Sequence, residues 1–154
     1  MPTRYVGSPS EVLALDTIIK LSRSLNFVQA RLTPHLQKGF GITESQFGVM
    51  EALLHLGPLS QGQLCAKILR SGSNITTVVD NLERDGMVTR ERDAADRRVQ
   101  IVALTEKGRS LIIRAFPAHV ARVTELMSAL SADEQRELGR ICRKLGEVGV
   151  AQRL

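Results

Sequence analysis

Two short stretches hold the side chains whose types and spacing suit recognition chemistry. Ser73, Asn74, Thr76, Thr77, Asp80 and Asn81 form the first, and Arg90, Arg92, Asp96, Arg97 and Arg98 the second. Hydroxyls and amides both donate and accept hydrogen bonds, so the first set can read base edges or hold phosphates. A guanidinium is permanently charged and can enter a narrow minor groove, where the potential of a duplex is strongly negative. Asp96 stands two positions before Arg98, placed to hold that guanidinium in one pose. Arg90, Arg92 and Arg97 suit phosphate contacts, which give affinity without sequence information. Plainer readings stand beside these: a solvated helix face rich in poor helix formers, and for Arg97 a solvated loop charge.

Other chemistries find less support. No nucleophile, base and orienting group fall into a recognisable set, and no glycine-rich phosphate loop or marked carboxylate pair is present, so an enzyme is not expected. His35, His55 and His119 lack the spacing of a local metal motif. Cys65 and Cys142 lie 77 positions apart with no CxxC spacing, which argues against a disulfide framework or a zinc ribbon. Two reduced, partly buried thiols and no cofactor are the expectation.

The elements that must position the two stretches are legible from caps and periodicity. Four capping-box patterns, Ser8…Glu11, Thr43…Gln46, Ser60…Gln63 and Ser131…Glu134, each precede a segment with helical apolar spacing. The first predicted helix follows Ser8, carries Leu15, Ile18, Ile19, Leu25, Val28, Leu32 and Leu36, and ends near residue 38, with Pro34 bending or weakening its last turn. A second runs from Thr43 to about Leu56, with Phe47, Met50, Leu53 and Leu54 inward, and a short third from Ser60 to about Leu69. After a turn at Ser71-Gly72, a fourth spans Ser73 to Asp85 and closes at Gly86. Its stripe of Ile75, Val78, Val79 and Leu82 would face the core, leaving the small polar set on the opposite surface. The period then changes to two: residues 87–92 and 99–104 read as strands around a charged loop, residues 93–98. A long helix from Thr105 to about Leu130, with Pro117 inside it, and a last one from Ala132 to about Gly146 complete the chain.

Bulk properties agree with a helical protein that meets nucleic acid. The 154 residues are 43% hydrophobic and 24% charged but only 3% aromatic, so a core of Leu, Ile, Val and Ala is implied, which suits packed helices. Net charge is +5 and the pI about 9.8, compatible with a nucleic-acid partner. The excess lies elsewhere than the two stretches: residues 60–108 hold eight basic and seven acidic groups. That balance keeps open a non-DNA interaction module that retains the same fold. No run approaches the roughly 18 apolar residues of a membrane span, and the N-terminal stretch lacks an apolar signal core, so a cytoplasmic protein is expected.

Helix, helix, short helix, tight turn, helix, hairpin is the order of a helix-turn-helix followed by a wing, in which the second helix of the pair enters the major groove. The fold class expected is mainly α with a small β-hairpin. Residues 96–108, Asp-Arg-Arg-Val-Gln-Ile-Val-Ala-Leu-Thr-Glu-Lys-Gly, resemble the D-R-R-x-x-x-V-x-L-T-x-K-G wing signature of the MarR (multiple antibiotic resistance regulator) family. Upstream, residues 73–88 resemble that family's recognition helix and its Leu-Glu-x-x-Gly exit, and the likeness extends over roughly residues 10–148. The resemblance implies a winged helix-turn-helix lobe at about 43–108 and a helical dimerisation region at about 9–38 and 106–150. It implies a ligand-responsive repressor that binds a pseudo-palindromic operator as a homodimer, with Arg98 as the minor-groove arginine. Many relatives carry a long side chain after the recognition-helix threonine, where this chain has Thr77, so base preference would differ.

Many members of that family also hold small aromatic or anionic effectors between the dimer base and the DNA lobes. Arg31, His35, Phe47, Met50 and Phe116 are the candidates here, and each could equally be plain core or surface. Peroxide-sensing relatives use a cysteine in the first helix, and residues 1–40 contain none, which argues against that mode of sensing.

Overall fold

The computed structural model describes residues 4–68 and 75–151, with side chains to residue 147. Among the described residues six helices and three short strands follow in chain order: α1 (Pro9–Phe40), α2 (Glu44–Leu56), β1 (Leu59–Ser60), α3 (Gln61–Lys67), α4 (Ile75–Arg84), β2 (Val88–Arg92), β3 (Gln100–Leu104), α5 (Glu106–Met127) and α6 (Ala132–Ala151). The chain divides into two compact units, residues 1–119 and 120–154.

All four expected capping boxes form. Ser8, Thr43 and Ser60 each accept from the amide three residues on, while Glu11, Gln46 and Gln63 reach back to the cap amide. At the fourth, Ser131 N donates to Glu134 at 2.7 Å and Glu134 N to the Ser131 hydroxyl at 3.3 Å. With Pro34 inside it, α1 continues to Phe40 and closes on Gly41 in the left-handed region. A proline inside a helix forgoes one backbone bond, and the buried Leu32 and Leu36 on either side hold this turn in place. The long helix is shorter than predicted: it stops at Met127, where the Ser128 hydroxyl turns back onto the Glu125 carbonyl. The Ser71-Gly72 turn lies outside the described residues.

In the first unit, α1, α2, α3, α4 and the start of α5 enclose a single aliphatic core. Leu36, Val49, Met50, Leu64, Val79, Leu82, Val88, Val102 and Ile112 are essentially without solvent contact, and Ile75, Val78 and Phe116 pack against them half-buried. The wing is a three-stranded antiparallel sheet in the order β1-β3-β2. Its hairpin pairs Val88 with Leu104 and Arg92 with Gln100, and the two-residue β1 adds Leu59 opposite Val102. Sequence periodicity did not reveal β1, since two residues are too few to show alternation.

The exit from α4 explains much of the wing signature in structural terms. Gly86 has φ +73°, a conformation open to glycine, and its amide bonds the Glu83 carbonyl while Met87 N bonds that of Leu82. Thr105 then fastens the start of α5 to this turn: its amide donates to the Met87 carbonyl and its hydroxyl to that of Gly86 at 2.7 Å. The same hydroxyl caps α5 by accepting from Gly108 N, and Lys107 Nζ bonds the Asp85 carbonyl. A Cβ at Gly108 would lie 2.0 Å from the Met87 carbonyl oxygen, so only glycine permits this approach.

In the second unit, α6 carries a one-sided stripe of Leu138, Ile141 and Leu145, each at least 39% exposed. Within the first unit, Leu15, Ile18 and Leu25 of α1 are likewise exposed, leaving only Leu32 and Leu36 of the expected stripe buried.

Candidate nucleic-acid interface

Two hydrogen-bond systems set the wing tip. Asp93 accepts from the amides of Ala95 and Asp96 at 2.7 and 3.0 Å, turning the chain, and Asp93 N bonds the Val99 carbonyl across the loop. Asp96 then holds Arg98: one carboxylate oxygen accepts from the Arg98 amide at 3.0 Å and its Nε at 3.1 Å, and the other from Nη2 at 3.3 Å. These bonds from Arg98 hold the Asp96 carboxyl below its usual range. The Arg98 side chain is nonetheless 91% exposed. A fork aimed and oriented by its neighbour, yet open to solvent, is pre-organised to meet a partner's negative groove or phosphate. Arg92 and Arg97 are also exposed, on β2 and the loop.

On α4 the half-buried and buried stripe is the expected one, so Thr76, Thr77 and Asp80 face outward; Asn81 is half-buried. Ser73 and Asn74, the first two residues of the predicted polar set, lie outside the described residues. Gln61 of α3, which sequence reasoning passed over, donates to the Thr76 hydroxyl at 2.7 Å and so couples the two helices of the motif. A glutamine at the first turn of α3 carried no signal of its own. An open cleft of about 680 Å³ lies between α3, α4 and the wing, and brings Gln61, Cys65, Thr76, Arg90 and Arg98 together.

Arg90 behaves differently from its neighbours. Its Nη2 lies 2.6 Å from Asp80 and 2.5 Å from Glu83, with Nε 3.0 Å from the same Glu83 oxygen. Its side chain is only 20% exposed, and the Glu83 bond foremost raises its pKa further above the ordinary value. The guanidinium is thus committed to α4.

The residues expected to form an effector site come together only in part. Phe47 stacks on Phe116 at 6.2 Å between centroids and meets His119 at 4.4 Å, while His55 packs edge-on to Phe116. Met50 is fully buried in the core beside them. His35 lies edge-on to Phe40, and its Nε2, like His119 Nδ1, is buried without a hydrogen-bond partner. Burial lowers the His119 pKa, with His35 adding to the shift and Glu51 and Glu44 opposing it. Arg31 does not join this group: it lies over the Phe27 ring and bonds the Phe27 carbonyl. The thiols depart from expectation, since Cys65 and Cys142 are both free but exposed. Among the described residues no cluster of His, Cys, Asp and Glu could hold a metal, and no helix is long and apolar enough to cross a membrane.

The model describing the MarR family matches residues 40–99, the stretch from the end of α1 to the wing tip. The transcriptional regulator MhqR of Bacillus subtilis is 34% identical over 133 residues, spanning 86% of this chain and 91% of that protein. Among solved structures, Sco3205, a MarR family transcriptional regulator from Streptomyces coelicolor crystallised in complex with DNA, superposes with a TM-score of 0.80 at 25% identity, over 94% of this chain and 90% of that one. A MepR-like protein complexed with pseudoligands superposes with a TM-score of 0.69 at 29% identity, over 87% and 94% of the two chains. With its winged helix-turn-helix built around α3, α4 and the hairpin, and with that identity over nearly the full length of MhqR, the chain belongs to the MarR family of transcriptional regulators.

Proposed function

We propose that the protein is a ligand-responsive repressor that binds a pseudo-palindromic operator as a homodimer. The observation that carries the reading is Arg98, clamped by Asp96 through three hydrogen bonds yet 91% exposed at the wing tip. In this reading α4 enters the major groove, where Ser73, Asn74, Thr76, Thr77 and Asn81 meet base edges and phosphates. Arg98 enters the adjacent minor groove, and Arg92 and Arg97 hold phosphates. The similar Sco3205 was solved in complex with DNA, which supports a DNA partner. Replacing Arg98 by Ala is expected to weaken operator binding by about 1–3 kcal/mol while leaving the fold intact. Unchanged affinity, measured by fluorescence anisotropy, would count against the reading.

A two-fold arrangement is supported by what one wing lobe can bury and by the apolar residues left exposed on α1 and, separately, on α6. The dimerisation region then comprises residues 9–38 and 106–150. For the effector we favour the aromatic cluster of Phe47 and Phe116, bordered by Met50 and by the histidines whose buried nitrogens lack partners. The similar MepR-like protein was solved with pseudoligands, which supports a small-molecule site in this chain. An aromatic or anionic compound could stack on the rings and accept from a histidine N–H.

A further inference from the structure

We infer that Arg90 is a counter-ion built into the DNA-facing surface: it neutralises Asp80 and Glu83 of α4 and ties that helix to the wing, as a positioning residue and not a phosphate contact. The inference rests on the reading of α4 as the helix that enters the groove. Asp80 and Glu83 stand three positions apart and therefore on one side of the helix. Both are partly exposed, at 50% and 39% of their side chains. Of the other charges in α4, only Arg84 is positive, and it lies 3.3 Å from Asp85 just beyond the helix. Left alone, this helix would bring two carboxylates against a polymer carrying a negative charge every ~1.7 Å of its axis. Like charges brought together at an interface are strongly unfavourable.

Arg90 removes that conflict from inside the protein. Its place in β2, paired with Val102 of the central strand, fixes the backbone from which the side chain reaches α4. Its Nη2 alone reaches both carboxylates, at 2.6 Å from Asp80 and 2.5 Å from Glu83, and Nε adds a second bond to Glu83 at 3.0 Å. A side chain 20% exposed and bonded twice to α4 has little left to offer a phosphate, whereas Arg98 at 91% has nearly all of itself. The two arginines thus divide the work: one orients the recognition helix, the other meets the nucleic acid.

The test is a cycle in which Arg90→Met is made in the native background and in an Asp80→Asn, Glu83→Gln background. Affinity of the full-length protein is measured, at several salt concentrations, for a duplex recovered by selecting random DNA against the unaltered protein. Arg90→Met is expected to weaken binding about tenfold or more in the native background and less than about threefold where the carboxylates are already amides. Arg90→Lys, which keeps the charge, should recover most of the loss. Equal losses in both backgrounds, with the salt slope reduced by about one in each, would make Arg90 a phosphate contact and overturn the proposal. If Arg90→Met folds only in the amide background, the coupling appears in Tm instead and supports it; failure to fold in both would overturn it. Absence of salt-dependent binding by the unaltered protein would overturn the DNA reading itself, and this role with it, whatever the Tm cycle shows.

Discussion

The two histidines beside Phe47 and Phe40 are buried at atoms that find no partner, and one consequence can be worked out at the scale of a single residue. Burial is the foremost cause that lowers the His119 pKa from its ordinary 6.5. The folded state therefore takes up its proton only at lower pH than the unfolded chain does. Below about pH 6.5 the unfolded chain binds more protons, so stability falls as pH drops through that value towards the folded pKa, and is unaffected above it. Tm followed from pH 7.5 to 5 should decline, and His119→Gln should flatten that decline; an identical profile for the variant would show that the titration lies elsewhere. At the wing, Asp96→Ala removes the acceptor of three Arg98 bonds. A smaller loss of DNA affinity than in Arg98→Ala is expected, about 0.5–2 kcal/mol, because the guanidinium survives but must be ordered on binding. A loss equal to or larger than that of Arg98→Ala would mean Asp96 acts on more than Arg98.

At the scale of elements, the turn from α4 through the hairpin to α5 decides how the recognition surface is aimed. Gly86, Thr105, Lys107 and Gly108 all take part in fastening that turn. Gly108→Ala would place a methyl within 2.0 Å of a backbone oxygen that cannot swing away. The expected cost is about 3 kcal/mol, within reach of what overpacking a rigid site does, measured by denaturant titration. A variant as stable as the parent would show that α5 can shift without strain. This region also shows how much the sequence could tell. Capping boxes, the Gly86 exit and the two-residue alternation of the strands are local, so their outlines were readable to within a few residues. What needed the third dimension was long-range pairing. Arg90 looked like one more wing cation until its reach to Asp80 and Glu83 was seen, ten and seven positions back on another element. Gln61 and Thr76, fifteen apart, are the same kind of case. Cys65 and Cys142 read as half-buried because residue type carries an average, whereas both are exposed in the single chain.

At the scale of the molecule, the exposed apolar residues of α1 and α6 are the feature most in need of cover. Leu138, Ile141 and Leu145 recur at helical spacing on α6 and are 39–57% exposed in the single chain. Ile141→Glu is expected to dissociate the proposed dimer at micromolar concentration, and light scattering would show a mass near 17 kDa in place of twice that. Retention of the dimeric mass would place the interface elsewhere. Losing the dimer should also cost operator binding, since one lobe engages one half-site only.

Everything at the larger scale depends on α4 and Arg98 reading neighbouring grooves of one duplex in two copies. Selection of bound sequences from random DNA by the full-length protein measures this directly. A pseudo-palindrome with half-sites centred about one helical turn apart is expected. Recovery of unrelated sequences, or of a single half-site without its mirror, would contradict it.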